Sequence, residues 1–312
     1  MTHIWKQTIT INEDIARELI ENQQHIHVES IQLLDEGWDN LVYLVNKNLI
    51  FRFPRRELGV FCMENEILLL PYITKQVSFP LSNPEWIGEP SDLYPYPYGG
   101  YKMLRGLPLC DAADSLIDNV DFAVILATWL NELHSLKVND NHISVIKGDQ
   151  SWRLDVKHRV ARCHENLERY QEYFLQAGFK NNQLIGLIEK LSSFQFQSLM
   201  KFYLHGDLYC RHVIVDTNHF LPTGLIDWGD VHIGHRGIDL SIGMVFTKPT
   251  LEIFLNAYGN VDEELIRVMV FHSFCHSMSF LPYAFQQNKK SLKQWAALVL
   301  QRAMDEIKTL NI

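Results

Sequence analysis

Leu204-His205-Gly206-Asp207-Leu208 opens, and Ile226-Asp227-Trp228-Gly229-Asp230 closes, the stretch that decides how this chain is read. Between them stand Tyr209-Cys210-Arg211-His212, the apolar triplet Val213-Ile214-Val215 and the polar run Asp216-Thr217-Asn218. Phe202–Leu204, Val213–Val215 and Leu225–Ile226 have the length and residue types of short strands, and Gly206, Asp216, Asn218 and Gly224 are turn formers that bound them. A tight turn at Thr217-Asn218 would carry the loop before the second strand and the loop after the third to one edge. On that expectation Asp207, His212 and Asp227 converge.

Two carboxylates about twenty residues apart, each following an apolar run, suit a particular chemistry. A metaphosphate-like transition state needs little covalent help but much positioning and charge compensation. One aspartate to meet an acceptor hydroxyl and another to hold magnesium on nucleotide phosphates are then sufficient, since magnesium is content with few carboxylates plus phosphate oxygens and water. Either fragment alone would read as a polar turn. In this order and at this separation they favour phosphoryl transfer.

The stretch resembles the aminoglycoside phosphotransferase family, which includes macrolide kinases. The family pattern runs His-Gly-Asp-Leu, then Asn or His, three apolar residues and Asp, and later Ile-Asp-Trp-x-Asp, a Gly and Asp-Leu. Here the positions are His205-Gly206-Asp207-Leu208, His212, Val213-Ile214-Val215-Asp216, Ile226-Asp227-Trp228-Gly229-Asp230, Gly234 and Asp239-Leu240. The resemblance implies an α+β, two-lobed protein-kinase-like fold, with a small N-terminal lobe built on an antiparallel sheet and a larger, mainly helical C-terminal lobe. It implies Asp207 as the residue that orients the acceptor, Asp227 as a metal ligand with His212 beside it, and ATP or GTP with Mg2+ as cofactors. His205 reads as a donor that organises the loop. Asp239, at the start of an apolar run, reads as a helix N-cap that also ties the loop down.

Further upstream, Asp35-Glu36-Gly37-Trp38-Asp39-Asn40 precedes a strand at Leu41–Val45, a turn at Asn46-Lys47-Asn48 and a strand at Leu49–Phe53. Exposed N–H groups between paired strands can cover phosphates, and glycine permits close approach. No G-x-G-x-x-G or Walker-type sequence is present, so an ordinary hairpin competes with this reading until the family resemblance is added; Gly37, Trp38, Asp39 and Asn40 are then the covering loop. Arg52 stands where the family places the cation that reaches the phosphates. Arginine grips phosphate or carboxylate with a planar fork, unlike the lysine of most kinases. Glu66, opening the apolar run Ile67–Leu70, matches the glutamate that pairs with this cation, with Glu64 as its competitor. Tyr101–Leu104 reads as a short strand and hinge whose backbone meets the base, which brings in Lys102 and Leu104.

The chain departs from the pattern in two places. His212 replaces the asparagine of many relatives, and imidazole is a poorer magnesium ligand than an oxygen donor; it is read as binding the second metal, bonding the Asp207 loop or preferring manganese. His235-Arg236 stands where relatives often carry Asp-Pro, so an acceptor contact from that turn is in question. Asp230, Glu165 and His235 are the acceptor candidates. The acceptor itself reads as a hydroxylated small molecule, an aminoglycoside-like or other antibiotic, with resistance as the corresponding role. A choline, homoserine or sugar kinase and a weakly catalytic nucleotide-binding regulatory module are the alternatives. Gly234 and Asp239 follow Asp227 within a dozen residues, which leaves little room for the activation segment a protein kinase needs.

Composition narrows the classes. The 312 residues are 47% hydrophobic, enough to bury a large core. A net charge of -9 disfavours nucleic acid as a partner, because such affinity needs a basic face. The five cysteines are odd in number, spread out and without a C-x-x-C pair, which fits reduced thiols in the cytoplasm. Met1–Gln7 has no secretory pattern and no apolar run approaches membrane-spanning length. Five histidines from His205 to His235 invite a zinc reading, but their spacings match no zinc framework.

The chain is expected to divide into an N-terminal nucleotide-binding lobe over 1–100, a hinge over 101–108 and a C-terminal lobe over 109–312 that carries the catalytic loop and the acceptor site. The periodicity predicts helices over Asn12–Glu21, Cys62–Leu70, Phe122–Leu136, Trp152 to about Ala177, and Asp262–Phe285.

Overall fold

A computed structural model describes residues 9–37, 39–112, 114–146, 149, 151–196 and 202–310. Two compact units emerge: the chain to Arg105 together with Gly224–Val231, and Gly106–Thr223 together with the chain from His232. The segment bearing Asp227 is thus grouped with the first unit.

In the first unit, helix α1 (Glu13–Gln24) starts where the Asn12 side chain accepts from the Ile15 N–H, with Glu13 and Asp14 in the first turn, and stops where His25 turns left-handed. Strands β1 (Ile31–Glu36), β2 (Asn40–Val45) and β3 (Leu49–Pro54) follow. The β2–β3 connection works because Asn46 and Lys47 both take positive φ, 50° and 64°, the hand that suits the strand twist. Helix α2 (Glu57–Ile73), strand β4 (Trp86–Gly88) and strand β5 (Tyr98–Lys102) complete an antiparallel sheet of order β1-β2-β3-β5-β4. Alternate residues of β2 and β3 are buried with α1 in one apolar cluster that includes Leu19, Ile20, Val45, Phe51, Phe53 and Tyr98. Gly100 is needed in β5, because a Cβ there would stand 2.5 Å from the Phe51 ring. The Gly224–Val231 segment is tied in by main-chain bonds from Leu225 N to Pro80 O (3.1 Å) and from Ser82 N to Leu225 O (3.0 Å).

The second unit starts with strand β6 (Leu107–Pro108) and helices α3 (Val120–His134), α4 (Asp140–Val145), α5 (Val156–Arg169), α6 (Gln171–Gln176) and α7 (Asn181–Leu191). Short strands β7 (Phe202–Leu204), β8 (Val213–Val215), β9 (Pro222–Leu225) and β10 (His232–Gly234) come next. Helices α8 (Gly237–Leu240), α9 (Lys248–Tyr258), α10 (Glu263–Gln286) and α11 (Lys290–Thr309) follow. Strand β7 pairs with β10, and β6, β8 and the start of β9 form a three-stranded sheet. Helix α10 is the axis of this unit: Asp262 caps it, accepting from Leu265 N at 2.7 Å, and Val268, Phe271, Phe274, Met278 and Leu281 are all buried. Among the described residues no helix is long and apolar enough to cross a membrane, and the five cysteines stand as free thiols.

Several sequence expectations are revised. The helix expected from Trp152 to about Ala177 is two helices, because the backbone leaves helical geometry at Tyr170 (ψ 26°). The break lets Tyr173 stack on Phe285 of α10, 5.0 Å between centroids, while Phe174 enters the core. The strand expected at Leu225–Ile226 is β9, which begins at Pro222; proline is tolerated as a first strand residue. The strand expected at Tyr101–Leu104 is β5, ending at Lys102.

Candidate active site

In the second unit the site is built on the loop that leaves β7. Gly206 takes a φ of 85°, the left-handed turn for which glycine is suited. The main-chain N–H groups of His205 and Gly206 point together at the buried Asp239 carboxylate, at 2.7 and 2.9 Å. His134 Nε2 lies 3.2 Å from the same carboxylate, and His134 Nδ1 meets the Tyr258 hydroxyl at 2.9 Å. Burial pushes the Asp239 carboxyl up, but the hydrogen bond and charge of His134, the charge of His205 and the Gly206 N–H outweigh it, so the group is held below the usual carboxylate range. Asp239 is not an N-cap as expected from sequence; Arg236 holds that place and Asp239 lies within α8. Its work is on the loop.

Asp239→Ala is expected to cost about 2–3 kcal/mol, since charge-assisted bonds to two main-chain donors and to His134 are lost together. The depressed folded value fixes the pH sign. This stabilisation is present above the ordinary carboxylate range and is lost as pH falls through and below it. Denaturant midpoints of wild type and variant should therefore converge in acid, and a constant gap would disprove the assignment.

Asp207 follows this anchored turn, with its side chain 29% exposed. His205 is fully buried and its Nδ1 accepts from the Asp207 N–H at 3.4 Å, so at this nitrogen it organises the loop as an acceptor rather than as the expected donor. His212 Nδ1 lies 2.7 Å from the Asp207 carbonyl, which commits that nitrogen to the loop, and the ring packs edge-on against Tyr209 at 4.3 Å. Of the roles open to His212 on sequence, the loop hydrogen bond is the one seen. Burial pushes the Asp207 carboxyl up, yet the hydrogen bond from His276 and the charges of His212, His276 and Arg153 bring it well below its ordinary value. His276 Nε2 is 3.6 Å from Asp207 Oδ1.

In the first unit, Arg52 on β3 is gripped between two carboxylates: Nη1 donates to Glu66 at 2.6 Å and Nη2 to Asp227 at 2.7 Å. Glu66 is fully buried on the inner face of α2, whereas Glu64 is exposed, which decides between them. The Tyr101 hydroxyl donates to Glu66 Oε2 at 2.6 Å, and Arg52 lies over the Tyr101 ring at 5.7 Å. Asp227 has a φ of 61°, an uncommon conformation for a residue with a side chain, and its side chain is 46% exposed. Gly229 follows so closely on this cluster that a Cβ there would lie 3.4 Å from Glu66 Oε1 and 3.6 Å from Arg52 Nη2.

The covering loop is held by arginines. Gly37 N donates to Asn40 O (3.0 Å), Arg55 Nη1 donates to Gly37 O (2.9 Å), Arg55 pairs with Glu36 (2.7 Å), and Arg56 pairs with Asp39. Asn40 is buried and, among the described residues, its Oδ1 has no hydrogen-bond partner. Trp38, expected in this loop, lies outside the described residues. Burial pushes the Asp39 carboxyl up against the pull of Arg56, and the negative charges of Asp230 and Asp227 add to the push.

Among the other residues singled out from sequence, Lys102 is exposed and paired with Glu85 at 2.8 Å, and Leu104 lies half-buried just past β5. Glu165 is on the outer face of α5, 69% exposed and 3.9 Å from Arg162. His235 is buried, its Nδ1 accepts from Gly237 N at 3.1 Å, and burial lowers its basicity. Tyr101 and His276, which touch the two carboxylate clusters, were not assigned from sequence. The only signal for His276 was its helical spacing with His272 and Tyr283.

Magnesium fits the first-unit cluster by donor chemistry. Asp227 offers a half-exposed carboxylate of hard oxygens, and the charges of Asp39 and Asp230 add to the negative potential there. Among the described residues no group of three or more His, Cys, Asp or Glu forms a preassembled metal cage. One or two carboxylates supplemented by phosphate and water is the usual magnesium arrangement.

Comparison with known proteins places the family and the fold. Residues 30–271 match the model of the phosphotransferase enzyme family (APH). The GDP complex of wild-type aminoglycoside 2'-phosphotransferase-IIIa is similar in structure, with a TM-score of 0.69 and 23% identity over 95% of this chain and 99% of that one. The GDP and kanamycin complex of APH(2")-IIia gives 0.67 and 24% over 95% and 98%. The apoenzyme of macrolide 2'-phosphotransferase MphH from Brachybacterium faecium gives 0.63 and 17% over 93% and 98%. The antiparallel first-unit sheet and helical second unit are the kinase-like α+β fold of these proteins. With the family model spanning most of its length, this chain belongs to the APH phosphotransferase enzyme family.

Proposed function

We propose that the protein transfers the γ-phosphoryl group of ATP or GTP, with magnesium, to a hydroxyl of a small molecule. The observation that carries this reading is the Glu66–Arg52–Asp227 clamp, a buried guanidinium held between one sealed carboxylate and one half-exposed carboxylate in left-handed backbone. Backbone strain of this kind persists where surrounding structure over-determines it, and it concentrates at functional sites. The first unit is the nucleotide-binding part and the second carries the acceptor chemistry.

Asp227 is the residue that would hold the metal, with Arg52 orienting its carboxylate and supplying positive charge toward phosphate. Magnesium held there would supply positive charge to the nucleotide phosphates. His212 has its Nδ1 bonded to the Asp207 carbonyl, which fixes the ring on the loop, so Nε2 is the nitrogen that would serve a metal. Asp207 accepts a hydrogen bond from the acceptor hydroxyl, orients it, and takes its proton as the new P–O bond forms. A carboxylate held well below the ordinary range is a weak base, which suffices when the transition state is loose and the proton leaves late.

Antibiotics of the kinds named for the similar structures, kanamycin and the macrolides, are the first acceptors to consider, followed by sugars and amino alcohols. The pocket beside Asp207 includes Tyr209, His272, His276, Phe280 and Trp295.

Titration calorimetry with MgATP and with MgGTP is expected to show binding of at least one, and Asp227→Ala to weaken it about tenfold or more. Coupled nucleotide consumption across a panel of hydroxylated compounds then identifies the acceptor. Absence of binding by either nucleotide would end this reading.

A further inference from the structure

We infer that His276, on α10, is a positioning residue for Asp207: its Nε2–H holds carboxylate Oδ1 and leaves Oδ2 to the acceptor hydroxyl. The inference rests on the phosphotransferase reading and adds a residue that the sequence motif does not contain.

Two imidazoles flank the Asp207 carboxylate, and their geometries differ. His212 Nδ1 is 3.9 Å from Oδ2 and spends its hydrogen bond on the Asp207 carbonyl at 2.7 Å. His276 Nε2 is 3.6 Å from Oδ1. Hydrogen bonds of this kind are often long before reactants bind and tighten in the reacting complex. Its approach to Oδ1 leaves Oδ2, among the described residues, with no donor nearer than His212 at 3.9 Å, on a side chain that is 29% exposed. A carboxylate with one oxygen anchored cannot spin about its Cβ–Cγ bond, so its second oxygen keeps a fixed bearing.

The His276 ring is itself held. It stacks on Phe280, one turn later on α10, at 5.6 Å and 28°, and it lies 5.3 Å from Tyr209 of the catalytic loop. Tyr209 in turn meets Phe280 edge-on at 4.9 Å. These three rings make a wedge in which the imidazole's orientation is set by packing, while its edge stays accessible, the side chain being 26% exposed. Second-layer contacts that orient a functional side chain work in this way.

His276→Phe keeps the stack and removes the donor. His276→Gln restores an N–H at about the same reach. With water as acceptor, steady-state hydrolysis of MgATP or MgGTP by the His276→Phe variant is expected to show kcat reduced about 10–30-fold with nucleotide KM within twofold, and His276→Gln to recover most of the loss. Independently of turnover, 15N NMR of the wild-type protein is expected to find the His276 Nε2–H tautomer, with a resonance that moves on Asp207→Asn. A purely structural role would give equal losses in both variants and a His276 resonance indifferent to Asp207, and either result overturns the inference. Hydrolysis that survives Asp207→Asn would instead remove the Asp207 role itself, and the positioning role with it, while leaving the nucleotide reading to the calorimetry.

Discussion

Asp207→Asn is expected to reduce acceptor turnover about a thousandfold, within the ~10²–10⁴ range for a positioned acid or base, while nucleotide affinity stays within twofold. Asparagine keeps the shape, and the turn around it does not depend on the side chain: His205 N, Gly206 N and the Asp207 carbonyl are held by Asp239 and His212 through main-chain atoms. The variant should fold and bind normally. What it lacks is an anionic oxygen to orient the hydroxyl and take its proton. Comparison of kcat with nucleotide Kd for wild type and variant is the measurement, and a fall in kcat of less than tenfold would refute the assignment.

The electrostatics of Asp207 add a pH expectation with a definite sign. His276, His212 and Arg153 together overcome burial and keep the carboxyl ionised well into acid. Protonation of Asp207 is therefore not what ends activity between pH 5 and 7. Any acid limb there belongs to another group, and it should persist unchanged in the residual activity of Asp207→Asn.

Legibility from sequence followed the range of the forces involved. The β2–β3 hairpin could be read because Asn46-Lys47 supplies left-handed turn residues between alternating apolar runs. The β1 strand could not: it is an edge strand with a bulge near Leu33, and Leu33 and Leu34 are exposed, so it shows no alternation. The three residues of β4 are too few to carry a pattern. The pairing of Arg52 with Glu66 was legible only through the family resemblance, since the residues alone left Glu64 in competition; burial of both groups is what makes each need the other. The third member, Tyr101, was not legible, since a tyrosine in a strand carries no mark of where its hydroxyl ends up. Glu165 is solvated on α5 and His235 accepts from Gly237 N at the start of α8, two placements with local causes. An acid on an amphipathic helix is usually solvated, and a histidine before a helix start can cap it. His276 was hidden because its contact with Asp207 is set by how α10 packs, which no local spacing encodes.

Arg52→Met should be the most destabilising single change at the site, costing about 3–5 kcal/mol, because it leaves Glu66 as an uncompensated buried charge. In a unit of this size that corresponds to a fall in Tm of roughly 13–21 °C. The Tyr101 hydroxyl still donates to Glu66, so the carboxylate retains one partner, but burial already pushes its protonation upward even with Arg52 present. Without the guanidinium the push goes further, and the sign of the linkage is then fixed. A carboxyl whose folded value lies above its unfolded one contributes fully below the unfolded value and loses that contribution as pH rises through the folded one. The variant should therefore be less handicapped near pH 5 than near pH 8. Arg52→Met combined with Glu66→Gln removes the stranded charge, and it should regain a large part of the lost stability without regaining nucleotide binding. Thermal melts at the two pH values, with calorimetry on the double variant, separate the structural half of the clamp from its phosphate-facing half. A double variant no more stable than Arg52→Met would show that Glu66 is not carrying an unpaired charge, and that Arg52 braces the first unit by packing alone.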